Sequence, residues 1–248
     1  MIVVPSLAGV IDRRLLVNFA VEPDVAAEFL PAPFEPQLVA GRAVAGVCLI
    51  RLAKLRPHGL PGWIGLRSEN AAHRFAVVRT DEPDSSGVFI PRRDSSSRIT
   101  TWVGGRLFPG AHHRADFTVA STAVSEKVAY RSRDRRVSVE VTGSVGRTLP
   151  AGSVFDSLEM SSTFFANGCR GWSATGDPVR FDGLELRTAE WKVEPFDVDL
   201  VRSSFFDDTT VFPAGSVRFD HALIMRGIAH TWHPIETVDA GPQLAAAR

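Results

Sequence analysis

Ionisable side chains gather at three places in this chain. The first is His112-His113-Arg114, two imidazoles that titrate near neutral pH beside a guanidinium, with Arg106 shortly before them. The second is Glu69 with His73, and the third is Arg92-Arg93-Asp94. A carboxylate that orients an imidazole suits general acid–base chemistry, and neighbouring arginines suit the clamping of an anion. Each cluster also has a plainer reading. The histidines could be solvated in a surface turn, the Glu69 strand could face water over its first half, and the arginines could pair with surface acids.

The elements that must position these groups follow from periodicity. Asp94 to Phe117 reads as a helix feeding a strand: a serine at 95–97 caps it, Ile99, Trp102, Val103 and Arg106 share one face, and Pro109-Gly110 stops it. His112, His113 and Arg114 then enter the strand. Residues 66–79 read as another strand, with Glu69, Ala71, His73, Phe75 and Val77 on one face. If Phe75 and Val77 point into a core, Glu69 and His73 point there too. Asn70, Ala72, Arg74, Ala76 and Val78 occupy the opposite face. Further strands are expected at 13–21, 37–40, 42–55, 88–93, 114–122, 126–132 and 136–145 and in the C-terminal third, with short helices at 25–30 and 156–166. Many short strands and few helices point to a closed or nearly closed antiparallel β architecture.

Composition narrows the function classes. The 28 acidic and 28 basic residues balance, so no global field attracts nucleic acid or an anionic membrane. Nothing approaches the run of about 18 apolar residues that a membrane helix needs, and the start MIVVPSLAGVIDRR lacks a basic leader. A cytoplasmic protein is expected, with a single domain over residues 1–238 and a frayed tail at 239–248. Cys48 and Cys169 lie far apart without ligand-like spacing, as for unpaired thiols in a reducing compartment. His221, His230 and His233 sit close in sequence, but no Cys or HExxH-type pattern accompanies them, so neither metal nor cofactor is expected. Lys54, Lys127 and Lys192 are the only lysines. Amine catalysis therefore has three side chains to choose from.

Several fragments, in order, resemble the acetoacetate decarboxylase-like superfamily, and more closely its branch of bacterial proteins of unknown function. VAAEFLPAPFEP is similar to its N-terminal helix and Pro-x-Pro turn, SEN at 68–70 to the region of its glutamate, and GVFIPRRDSSS to the strand before its helix. The helix ending GGR, the stretch EWKVEPFDVDLVRSSFFDD and the closing FDHALIM complete the likeness. The resemblance implies a mainly β (α+β) fold, an antiparallel cone-shaped β-barrel with a ligand cavity and a few flanking helices, in a protein that commonly forms homo-oligomers. In the decarboxylase branch, a lysine pair beyond the GR helix forms a Schiff base with a 3-oxo acid. Those positions fall here on His113 and Arg114, or on His112 and His113, and neither alignment supplies an amine.

Two functions remain in view. In the first, His113 and His112 with Glu69 perform acid–base chemistry on a small oxo- or hydroxy-carboxylate held by Arg106, Arg114, His73 and Arg92. In the second, the same barrel binds a small ligand without turnover. A small-molecule ligand, most simply a carboxylate, is the expected partner in both, with no nucleic acid and no membrane.

Overall fold

The run AVAGVCLIRLAKL shows no alternation of apolar and polar residues because its strand is covered on both faces. A computed structural model describes residues 6–98 and 110–240. Strand β1 (Leu7–Val21) pairs antiparallel with β4 (Arg42–Pro57) on one side and β13 (Val217–Asp239) on the other. β4 pairs with β5 (Leu66–Arg79), and β5 with β6 (Glu82–Ser95). These five form a wall. Leu15, Val17, Ala45, Val47 and Leu49 project from one face of it into one core cluster, while Leu16, Val44, Cys48 and Ile50 project from the other into a second.

The ends of the wall are joined in two ways. β7 (His112–Ser121) runs beside β6, followed by β8 (Ser125–Ser132), β9 (Ser138–Val145) and β12 (Glu194–Ser203), which returns to β13 at Ile224, Leu223 and Ala222. That path closes a nine-stranded ring. β10 (Arg170–Ala174) also runs beside β6, further up the strand, and β11 (Arg180–Thr188) connects it to the last part of β13. That path closes a seven-stranded ring on the opposite face of the same wall. β2 (Phe34–Pro36) and β3 (Leu38–Val39) add short edges to β5 and β4.

The expected mainly β barrel is present, and both of its joins to β6 are parallel rather than antiparallel. In each case the chain returns through a long connection instead of a hairpin, which is what parallel pairing requires. Gly227 at φ +70° lies between the two ring assignments on β13. Ala222 and Ile224 before it belong to the first core, and Ile228 after it to the second.

Helix α1 (Pro23–Phe29) starts on a tolerated proline and buries Ala26. Helix α2 (Leu158–Asn167), in the stretch where a short helix was expected, is capped by Ser157, whose hydroxyl accepts the Met160 N–H. α2 lays Phe165 on the second face of the wall. The helix expected over 95–106 lies largely outside the described residues. Among those described, no helix is long and apolar enough to cross a membrane.

Phe205, Phe206 and Phe212, from the segment after β12, pack in tilted and edge-on contacts against Phe19, Phe29 and Phe75 in the first core. Leu15 sits in the middle of the wall with no exposed surface. Replacing Leu15 with Ala is expected to destabilise the protein by about 2–5 kcal/mol, read as a lower urea midpoint at unchanged slope.

Candidate functional site

Alternation along the wall sends Cys48, Ile50 and Leu52 from β4, and Asn70, Ala72 and Arg74 from β5, into the seven-stranded ring. Val88 and Ile90 of β6, Leu184 and Leu186 of β11 and Trp232 of β13 complete its walls, and Phe165 and Trp191 cover it. They line a partly open cavity of about 120 Å³. His112, Gly168 and Cys169 also line it, and these are partly exposed, whereas Arg74 and Cys48 are buried.

Three guanidinium groups reach this space, whose lining also includes Asn70, His112 and Asp94, the last of them bound to Arg92. Arg74 is only 5% exposed; its Nη2 donates to Asn18 Oδ1 at 2.6 Å, and its Cζ lies 4.7 Å from the Phe165 ring centroid. Arg93 donates from Nε to Ser173 Oγ at 2.9 Å. Arg14 donates from Nε to Cys48 Sγ at 3.3 Å and stands 5.7 Å from the Trp191 ring centroid. Among the described residues none of the three meets a carboxylate, whereas many of the chain's other arginines are ion-paired. Arg74 Nε and Arg14 Nη1 are buried without a hydrogen-bond partner. Burial pushes Arg74 and Arg93 down to about 10, which leaves both charged at neutral pH.

Asn18 is a neutral partner for Arg74, and its orientation is fixed from behind. His221 Nδ1 lies 2.7 Å from Asp220 Oδ2, so that nitrogen carries the proton. Nε2 then accepts from the Ser161 hydroxyl at 2.8 Å and from the Asn18 amide at 3.2 Å. With its NH2 committed to His221, Asn18 must turn its oxygen to Arg74. All of these side chains are buried.

The ionisable groups expected from the sequence divide between the two faces. Glu69 and His73 do share a face, but it is that of the nine-stranded ring. Glu69 Oε2 is 2.8 Å from Arg13 Nη2, and its other oxygen accepts from Arg51. His73 is fully buried, stacks on Phe205 at 4.4 Å, and has no partner at either ring nitrogen. Burial, with Arg92 adding to it, pushes His73 down to about 3, so it is neutral at physiological pH. Arg92 is bound to Asp94 and Asp134 at 2.9 Å each. His113 lies 3.4 Å from Asp134, and burial pushes it down. His112, its strand neighbour, points the other way and lines the cavity beside Arg93. Arg114 donates to the Ser96 carbonyl, and Arg106 lies outside the described residues. The wall therefore separates Glu69 from His112 and from the cavity. His221, His230 and His233 make separate contacts, and no metal-binding cluster forms among the described residues.

None of the three lysines lines the cavity. Lys54 is exposed at a bulge with φ +53°, Lys127 is 3.4 Å from Glu140, and Lys192 is exposed.

A family model described as an uncharacterized conserved protein, DUF2071, matches residues 11–221. The chain belongs to the DUF2071 family. No curated protein matches it. Among solved structures, the DUF2071 chain is similar to acetoacetate decarboxylase from Legionella pneumophila, at TM-score 0.58 and 12% identity over 95% of this chain and 87% of that one. It is also similar to an acetoacetate decarboxylase-like enzyme from Sphingomonas wittichii RW1, at TM-score 0.54 and 12% identity over 94% and 91%. A third similar structure is the enduracididine biosynthesis enzyme MppR complexed with pyruvate, at TM-score 0.56 and 15% identity over 95% and 91%. These likenesses establish an acetoacetate decarboxylase-like fold for this DUF2071 protein.

Sequence reasoning passed over Arg14, Arg74, Cys48 and Asn18, and weighed Arg93 only together with Arg92, as an anion clamp or a surface pair. The available signal was Arg74 itself, a charge between Ala72 and Ala76 on a strand flanked by an unbroken apolar run.

His73 gives a test that isolates the first face. Above pH 6.5 it is neutral in both folded and unfolded chains; below that value the unfolded chain gains a proton that the folded one refuses until about pH 3. Stability is therefore lost as pH falls through this window, by about 2–3 kcal/mol between pH 7 and pH 4.5. His73→Phe is expected to lack this loss, measured as the difference in urea unfolding free energy between the two pH values.

Proposed function

We propose that the cavity of the seven-stranded ring binds a small oxo- or hydroxy-carboxylate, with the carboxylate held by Arg74 and Arg93 and the remainder among the apolar walls. The observation that carries this reading is the convergence of three guanidinium groups without a single carboxylate partner among the described residues. Buried charge is expensive unless paired, so such a site is completed by an anion. The volume supports a small one. Drug-sized ligands need about 300–1,000 Å³, and this cavity offers about 120 Å³. The pyruvate bound by MppR, a protein of similar fold, agrees in chemical class.

His112, at the cavity beside Arg93, is the group we assign to acid–base work on the ligand; an imidazole there can accept or return a proton at carbon or oxygen. Glu69 then acts on the other face as part of an ion pair, and His113 stands there 3.4 Å from Asp134. With no lysine at the cavity, a carbonyl imine has no amine to form on, and the reaction class is lyase-like acid–base chemistry without a Schiff base. Binding without turnover is the alternative outcome of the same site, and the absent amine favours it.

Calorimetry with pyruvate and acetoacetate tests the reading. The wild type is expected to bind, and Arg74→Met and Arg93→Met are each expected to weaken binding by about tenfold or more, the worth of a charge-assisted hydrogen bond. No binding, or binding unaffected by both substitutions, would overturn it. Borohydride treatment with either acid is expected to leave the protein mass unchanged. An adduct at Lys54 would restore imine chemistry.

A further inference from the structure

The chain has two cysteines, and both line the same cavity. They come from distant elements: Cys48 from the middle of β4, and Cys169 from the turn between α2 and β10. Cys48 is 6% exposed, and its sulfur accepts from Arg14 Nε at 3.3 Å. It also lies within electrostatic reach of Arg74 and Arg93, so the charges of all three guanidinium groups act on one thiol. Two buried donors beside it, Arg74 Nε and Arg14 Nη1, have no partner.

We propose that Cys48 is the nucleophile of this cavity, adding to the electrophilic carbon of a bound oxo acid at a place where the chain offers no amine. The proposal rests on the carboxylate-binding reading above. In the step, the Cys48 sulfur forms a bond to the ketone carbon, the π pair of the C=O bond moves to oxygen, and the thiol proton ends on that oxygen. The product is a tetrahedral hemithioketal; no oxidant, reductant or further reactant is needed, and the addition is reversible. Guanidinium groups stabilise negative charge on an attacking sulfur and on a developing alkoxide, and here they also hold the carboxylate that brings the carbon within reach. Cys169, partly exposed at the edge of the same cavity, serves as an internal control.

The thiol can be interrogated with two alkylating reagents that differ only in charge. Iodoacetate carries the carboxylate that the arginines would hold, and iodoacetamide does not. Peptide mass mapping is expected to show Cys48 modified by iodoacetate with saturable kinetics, at least about tenfold faster than by iodoacetamide, because the bound reagent reacts as an intramolecular partner. Pyruvate should protect Cys48, Arg74→Met should abolish the preference, and Cys169 should show none. In parallel, the ketone carbon of pyruvate labelled with carbon-13 at that position is expected to show a tetrahedral resonance with wild type. The Cys48→Ser variant should bind pyruvate without producing it. Equal labelling by the two reagents, labelling at Cys169 alone, or a ketone resonance that stays in place while calorimetry shows pyruvate bound would overturn the role of Cys48 and leave the carboxylate-binding reading standing. Absence of pyruvate binding in wild type would overturn both.

Discussion

The alternation of side chains along one five-stranded wall governs everything else in this protein. A strand sends successive residues to opposite faces, and here each face is the interior of a closed ring. Between bulges, a position therefore belongs to one interior or the other by parity, and the assignment switches only at irregularities such as Gly227. Glu69 and Asn70, Arg92 and Arg93, and His112 and His113 are three adjacent pairs divided in this way. Neither face can be relaxed toward solvent, so a register slip of one residue would exchange the contents of two cores at once.

The two interiors treat charge differently. On the nine-stranded side Glu69 is answered by Arg13 and Arg51, Glu126 by Arg226, and Arg92 by two aspartates. These pairs hold strands together and leave no charge over. On the seven-stranded side Arg74 is answered by a neutral amide, Arg93 by a hydroxyl and Arg14 by a thiol. The Asp220, His221 and Ser161 array behind Asn18 keeps that amide oxygen turned toward Arg74. Although a serine, a histidine and an aspartate in line look like a hydrolytic triad, all three are buried, Ser161 on the inner side of α2 and the other two on β13, and they fix Asn18 and dock the helix. The uncompensated charge faces the cavity.

Local patterning made most of the strands legible. Residues 66–79 form the strand that period two implies, with Glu69 and His73 beside Phe75 on a core face. The second ring was not legible, because it depends on the pairing of β11 with β13 and of β10 with β6, partners separated by tens of residues with no local signal. Without that ring, the face carrying Arg74 reads as the outside of a barrel. The same gap hid the cysteines: 121 positions of chain separate Cys48 from Cys169 in sequence, and only closure of the seven-stranded ring brings them to one cavity. The resemblance to the acetoacetate decarboxylase-like superfamily supplied the fold.

If a small carboxylate completes the unpaired arginines of the seven-stranded ring, a crystal structure of the protein soaked with pyruvate will show it. Density for the acid is expected inside that ring, its carboxylate within hydrogen-bonding distance of Arg74 and Arg93 and its ketone facing Cys48. Density on the other side of the wall, against Arg13 and Arg51 with Glu69 displaced, would contradict it, as would an empty cavity in crystals saturated with the acid.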